Sequence, residues 1–241
     1  MNAPQDRHIC RRIGNWRRLF AKDSMTLMNA RCHRALADLF QHVPLPAGVL
    51  GAIRRRMCQP GRHYHNLGHL AEMWRQHRKM ARGTLRTRRV ERLIASTIAL
   101  HDVVYQAERS DNEAASAALW RQLAGQRRRL PRGVVRQVAT AIEATGRHTD
   151  PSAGAKYEPW VQWVLDLDLS PIGLSPHRVQ ANGSRLRAEH RNLSAAAWQQ
   201  RSKQFYGALQ RREHIFHSPR LRSAFEGSAQ RYLRFALDRL P

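Results

Sequence analysis

Three short stretches of the sequence concentrate side chains that bind metals or move protons. The first is RHYHNLGHL, Arg62 to Leu70, with His63, His65 and His69. The second is the apolar run LIASTIAL, which leads directly into His101-Asp102. The third is VLDLDLSPIG, in which Asp166 and Asp168 alternate with leucines. On a helix, side chains four apart such as His65 and His69 share one face, with Cβ atoms roughly 5–6 Å apart. One imidazole can then bind a metal while its neighbour reaches a group bound at that metal. An unpaired carboxylate at the end of an apolar helix, or among leucines, is costly without a compensating cation or donor. Each stretch alone is compatible with an ion pair to one of the many arginines or with a surface histidine. Taken together, they point to a metal site.

The elements that must position these side chains read as helices almost throughout. Helical spacing runs over 24–41, 47–58, 66–82, 87–105, 111–125 and 132–146. Pro60 follows the second of these and Gly83 stops the third. Ser110 or Asp111 suits the cap of the fifth, with Glu113 in its first turn. Residues 147–162 read as irregular, and a segment to about 184 is punctuated by Pro, Gly and Asn. Residues 185–192, 195–213 and 219–239 read as closing helices. Within VLDLDLSPIG, a helix would turn Asp166 and Asp168 about 200° apart, so only one could face a metal. Ser170-Pro171 resembles an N-cap and first helical position, which leaves Asp168 just outside a helix start. With no strand pattern or linker, the expectation is one all-α domain over 1–241, a helical bundle with its metal-binding core at about 60–175 and a C-terminal helical extension at about 176–241.

At 241 residues and 42% hydrophobic, the chain can bury a sizeable core. No apolar run reaches the roughly 18 residues of a membrane span. The start, MNAPQDRHICRRIGNW, lacks the apolar segment of a secretory signal. Cys10, Cys32 and Cys58 form no CxxC pair, so reduced thiols and a cytoplasmic location are expected. Net charge is +24, from 42 Lys+Arg against 18 Asp+Glu, and only four of the bases are lysine. The arginines are spread along the chain with few aromatics between them, unlike a stacking platform. Composition explains most of that charge, with weak, sequence-blind nucleic-acid binding as the expected partner property.

In order and spacing, RHYHNLGH, LHDVVYQ, SDNEAASA and LDLDLSPIG resemble the HD superfamily of metal-dependent phosphohydrolases, and within it a bacterial group with the pattern R-x-Y-H-N-x-x-H, H-D-x-V-Y, D-N-E-x-x-S-A and L-D-x-D-L. The chain is more distantly similar to the cyclic nucleotide phosphodiesterases. The resemblance covers about residue 14 to the C-terminus. It implies His69, His101, Asp102 and Asp168 as ligands of a divalent ion (Mn, Fe, Co, Ni, Zn or Mg), with His148 near a second metal. It implies His65 as the acid that protonates the leaving oxygen. Arg62, Asn66 and Glu113 become substrate-binding candidates, and Arg187, Arg191 and Arg201 further phosphate binders. The implied reaction is hydrolysis of a small phosphate ester or phosphodiester, of a nucleotide; the alternative is a non-catalytic module holding nucleotide or RNA on a basic surface. Asp168 is chosen over Asp166 because it directly precedes Leu169-Ser170, leaving Asp166 to bond an arginine or backbone donor. The chain departs from that group at Glu189-His190, where an acidic residue is usually followed by tyrosine, and at SAQRYL near the end.

Overall fold

A computed structural model describes residues 30–126, 130–150, 152 and 156–239. Among them lie ten α-helices and no strand. These are α1 (Ala30–His42), α2 (Ala47–Met57), α3 (Leu67–Met80), α4 (Arg88–Leu100), α5 (Asn112–Gly125), α6 (Arg132–Thr145), α7 (Pro159–Leu169), α8 (Pro176–Glu189), α9 (Ala195–Gln210) and α10 (Pro219–Leu237). Two 3-10 turns, Gly83–Arg86 and Ser170–Gly173, interrupt the series. No helix is long and apolar enough to cross a membrane. Cys32 and Cys58 form no disulfide among the described residues, and Cys10 lies outside them, as do residues 24–29 of the first expected helix.

The centre of the bundle is α4, which packs against α1, α3, α5, α6 and α7. Leu93, Ile94, Ile98 and Leu100 carry its apolar stripe and are all buried. Thr87 starts α4 by accepting from the Val90 N–H, as Ser194 does for α9 and Ser218 for α10. Four buried tryptophans help fill the core, and each indole N–H finds an acceptor: Trp74 on Asp38, Trp120 on the Val135 carbonyl, Trp160 on Glu158, Trp163 on His77 Nδ1. The C-terminal helices close over the end of α7: α8 and α10 both pack on the turn Ser170–Gly173. Gly173 permits that approach, since a Cβ there would fall 2.6 Å from Phe225 Cβ.

Three boundaries differ from the sequence expectation, and each difference bears on the site. α4 ends at Leu100 rather than 105, so His101-Asp102 opens a turn. The Arg62 guanidinium holds that turn, donating to the carbonyls of Asp102 at 2.7 Å and Val103 at 3.1 Å. α7 begins at Pro159, inside the stretch expected to be irregular, and Asp168 lies in its last turn. Ser170 is the C-cap of α7 and opens the 3-10 turn Ser170–Gly173; its hydroxyl donates back to the Leu167 carbonyl at 2.7 Å rather than N-capping a new α-helix. Asp168 is therefore inside a helix end, not before a helix start. α8 runs through Asn182 and Gly183, because a largely solvent-facing helix tolerates residues that cost at most about 1 kcal/mol each.

Candidate metal centre

Three helix ends meet at one point. His69 sits in the first turn of α3, His101 and Asp102 directly follow α4, and Asp168 closes α7. His148 comes from the turn after α6, its carbonyl held by Arg212 at 3.0 Å. His69 Nε2 lies 2.8 Å from Asp168 Oδ1, and His101 Nε2 lies 3.7 Å from that same oxygen. One ligand atom from each of His69, His101 and Asp168 falls within 4.8 Å of the others. His148 Nε2 meets the other oxygen, Asp168 Oδ2, at 2.8 Å. Asp102 stands at the edge of this group, its Oδ2 2.9 Å from His101 Nε2 and 4.0 Å from His69 Nε2.

The protons discriminate between two accounts of the cluster. His101 Nδ1 lies 3.0 Å from the Ile98 carbonyl. A carbonyl only accepts, so Nδ1 is the donor and Nε2 faces the cluster. Nε2 has no hydrogen-bond partner, and neither does Asp102 Oδ2; both are buried. Their 2.9 Å approach is close but not aligned as a hydrogen bond. Burial opposes charge on Asp102 and Asp168, yet the histidines outweigh it and hold both carboxyls below the usual carboxylate range. Burial likewise opposes charge on His101, and Asp102 and Asp168 raise its pKa well above that of a free imidazole. Two ionised carboxylates in a buried pocket need positive charge beside them. His69 Nε2 and His148 Nε2 meet the Asp168 oxygens at hydrogen-bond distance, whereas His101 Nε2 and Asp102 Oδ2 form an ion pair 2.9 Å apart that lacks hydrogen-bond alignment. A metal cation fits both orphaned atoms at once, and the fixed His101 tautomer, with Nδ1–H on a carbonyl, is the form that ligates metals.

His65 does not share a helical face with His69. Asn66 is the N-cap of α3, its Oδ1 accepting from the Gly68 N–H at 2.8 Å, so His65 lies in the preceding turn. The two rings still finish 6.2 Å apart. The turn is held by Glu189, at the end of α8. One Glu189 oxygen accepts the N–H groups of Tyr64 and His65 at 2.7 and 2.9 Å; the other takes His65 Nδ1 at 2.6 Å and the Tyr105 hydroxyl at 3.0 Å. The His65 ring packs on Tyr105, centroids 4.2 Å apart. Burial opposes charge on His65, but Asp102 and Glu189 outweigh it and raise its pKa. Sequence reasoning missed Glu189, 124 residues from His65. The only available signal was the acidic residue retained at Glu189-His190, while His190 is buried against Trp198.

A cleft of about 500 Å³ opens over His65, His148 and Asp168. Tyr64, Tyr105, Trp198, Phe205 and Tyr206 contribute aromatic walls, and Glu113, Arg109 and Arg201 polar ones. The Glu113 carboxylate lies against Gly146, where an added Cβ would come within 3.0 Å of it. Asp111 makes no capping bond; it pairs with Arg109. Two substrate candidates lie elsewhere. Arg62 spends its donors on the backbone of His65, Asp102 and Val103, so it fastens the turn that carries His65 to the turn that carries His101 and Asp102. Asn66 is occupied as a cap and bonds the Arg62 and His63 carbonyls. Arg187 likewise bonds the carbonyls of His190 and Leu193. Arg191 and His63 are exposed and do not line the cleft; of the four arginines expected to bind phosphate, Arg201 faces it. Asp166 is buried on the other side of α7, accepting the N–H groups of His217 and Ser218 at 2.8 and 2.6 Å. Burial pushes its pKa up to about 6, against those donors.

Compared with protein-family models, with curated proteins and with solved structures, the chain gives no match.

Proposed function

We propose that the protein is a metal-dependent phosphohydrolase of the HD type, acting on a small phosphate ester or phosphodiester of a nucleotide. The observation that carries this is the pair of buried, unpartnered atoms His101 Nε2 and Asp102 Oδ2 beside the His69–Asp168 contact, beneath a cleft that His65 also lines. His69, His101, Asp102 and Asp168 would hold the ion, and their mixed nitrogen and oxygen donors suit Mn, Fe, Co, Ni or Zn, with Mg favoured where oxygens dominate. His148, on the second oxygen of Asp168, is the residue toward a second ion. When bound, the ion supplies a polarised phosphoryl oxygen and a water of lowered pKa.

The chain's own groups account for the rest. Glu189 accepts a hydrogen bond from His65 Nδ1 and so orients the ring. The same carboxylate favours the charged ring, which keeps a proton available to the leaving oxygen. The aromatic walls offer stacking surfaces to a base, and Arg201 offers a fork to a phosphate. The cleft volume falls within the roughly 300–1,000 Å³ of small-molecule sites. Metal analysis of the purified protein, followed by a hydrolysis screen of nucleoside phosphates and an aryl phosphodiester with each candidate metal, tests the proposal. At least one bound ion per chain and turnover of a substrate are expected. Protein that carries no stoichiometric metal and takes none up on addition overturns it.

A further inference from the structure

A second concavity, of about 1110 Å³, shares no lining residue with the cleft. It runs between α1, α3, α8 and α10. Its walls carry seven cationic side chains against two carboxylates. α1 contributes Arg31 and Arg34, and α3 contributes Arg75, Arg78 and Lys79. Arg178 of α8 and Arg220 of α10 face them. All seven are exposed. Asp38 is taken by Arg78 and the Trp74 indole, and Glu72 by Arg75 and Arg178. Arg31, Arg34, Lys79 and Arg220 have no carboxylate partner among the described residues, so their charge faces outward unneutralised. Arginines that are scattered in sequence thus converge in space, which composition alone did not suggest.

We infer that this groove binds the phosphate backbone of a nucleic-acid duplex. Six of the seven cations are arginine, whose planar fork matches phosphate oxygens. Several elements present them along one channel, so a regular array of phosphates can engage more than one at a time. The aromatics at its floor are covered, Trp74 at 0% and Phe225 at 9% exposure, so no ring is available to stack on the bases of a single strand. That leaves backbone contacts, which carry no sequence information. No large apolar side chain is exposed in the groove to anchor in a bilayer or in a protein partner. This inference is independent of the metal centre.

Fluorescence anisotropy of the full chain with a labelled mixed-sequence DNA duplex, across a salt series, tests it. A groove variant, Arg31→Gln, Arg34→Gln, Lys79→Gln and Arg220→Gln, is compared with a charge-matched variant carrying Arg88→Gln, Arg89→Gln, Arg132→Gln and Arg136→Gln, all exposed and outside the groove. Each phosphate contact contributes about 0.9 to the slope of log affinity against log salt, so the groove variant is expected to lose about 2 to 4 of slope and at least about tenfold in affinity at low salt. The matched variant is expected to lose little. Thermal melting verifies both folds; should the fourfold variant melt early, Arg31→Gln with Arg220→Gln carries the comparison. Equal losses in the two variants overturn the inference, as does the absence of duplex binding at low salt. Groove-dependent capture by phosphatidylserine vesicles without duplex binding overturns it in favour of a lipid surface.

Discussion

At the scale of single residues, His65 and His69 of RHYHNLGHL would have different tasks in the proposed reaction. His69→Ala is expected to empty the metal site, whereas His65→Ala keeps the metal and loses about 10²–10⁴-fold in turnover, the usual worth of a general acid. Metal content and kcat of the two purified variants check the division; loss of metal in both refutes it. In the proposed reaction Glu189 would act through His65, as a positioning residue. Its carboxylate helps raise the His65 pKa above the ordinary imidazole value, working with Asp102 against burial. In the proposed reaction the protonated ring would be the active acid, so activity is expected to fall as pH rises through that pKa. Glu189→Gln lowers the pKa, and the alkaline limb of the pH–rate profile should move to lower pH with metal content unchanged. An unmoved limb would show that Glu189 serves the fold alone. The same residue-level test separates the aspartates of α7. Asp168→Ala is expected to abolish metal binding. Asp166→Asn is expected to retain metal while losing about 1–3 kcal/mol, because one of the His217 and Ser218 N–H groups would face an amide NH2 instead of an acceptor.

At the scale of elements, the site depends on where helices stop. α3 starts at Leu67 because Asn66 caps it, and α4 stops at Leu100, so that both deliver imidazoles from their ends rather than their flanks. Side chains at helix ends can converge on a point between helices without displacing the apolar stripe. Arg62 is the tie between the two ends, with its guanidinium on three backbone carbonyls of the turns that carry His65 and His101-Asp102. Arg62→Ala is expected to lower stability by about 2 kcal/mol or more, since charged hydrogen bonds are worth about 1.5–3 kcal/mol each. It should weaken metal affinity with it. A variant that instead retains stability and metal but raises KM would return Arg62 to the substrate.

At the scale of the molecule, the proposed ion joins α3, α4 and α7 and so belongs to the folded state. Any ligand that binds only the folded chain stabilises it in proportion to the logarithm of its concentration over Kd. Chelation by dipicolinate is expected to lower Tm, and restoring the metal to bring it back, with a shift that grows with free metal concentration. A Tm indifferent to chelator in metal-loaded protein would contradict a cation shared by three helices.

The sequence by itself determined the helical class and the chemical types at the site. An apolar stripe such as Leu93, Ile94 and Ile98 is written in local spacing because a helix must bury one face, and His101-Asp102 at the end of that stripe is conspicuous because buried charge is expensive. What it did not determine is who meets whom. The His65–Glu189 contact spans 124 residues and has no local signature, since a glutamate at a helix end looks the same whether it faces solvent or a histidine. The roles of Arg62 and Asn66 were likewise decided by packing: both are polar residues beside a site, yet the turn geometry left their donors facing backbone rather than cleft. Asp168 could be singled out in sequence, but not its seat inside the last turn of α7, where Ser170 bonds back to Leu167 and opens a 3-10 turn instead of capping a new α-helix. The gathering of Arg31, Arg75, Arg178 and Arg220 into one groove follows only from how α1, α3, α8 and α10 pack, because charge in a linear chain carries no address until the apolar faces have chosen their neighbours.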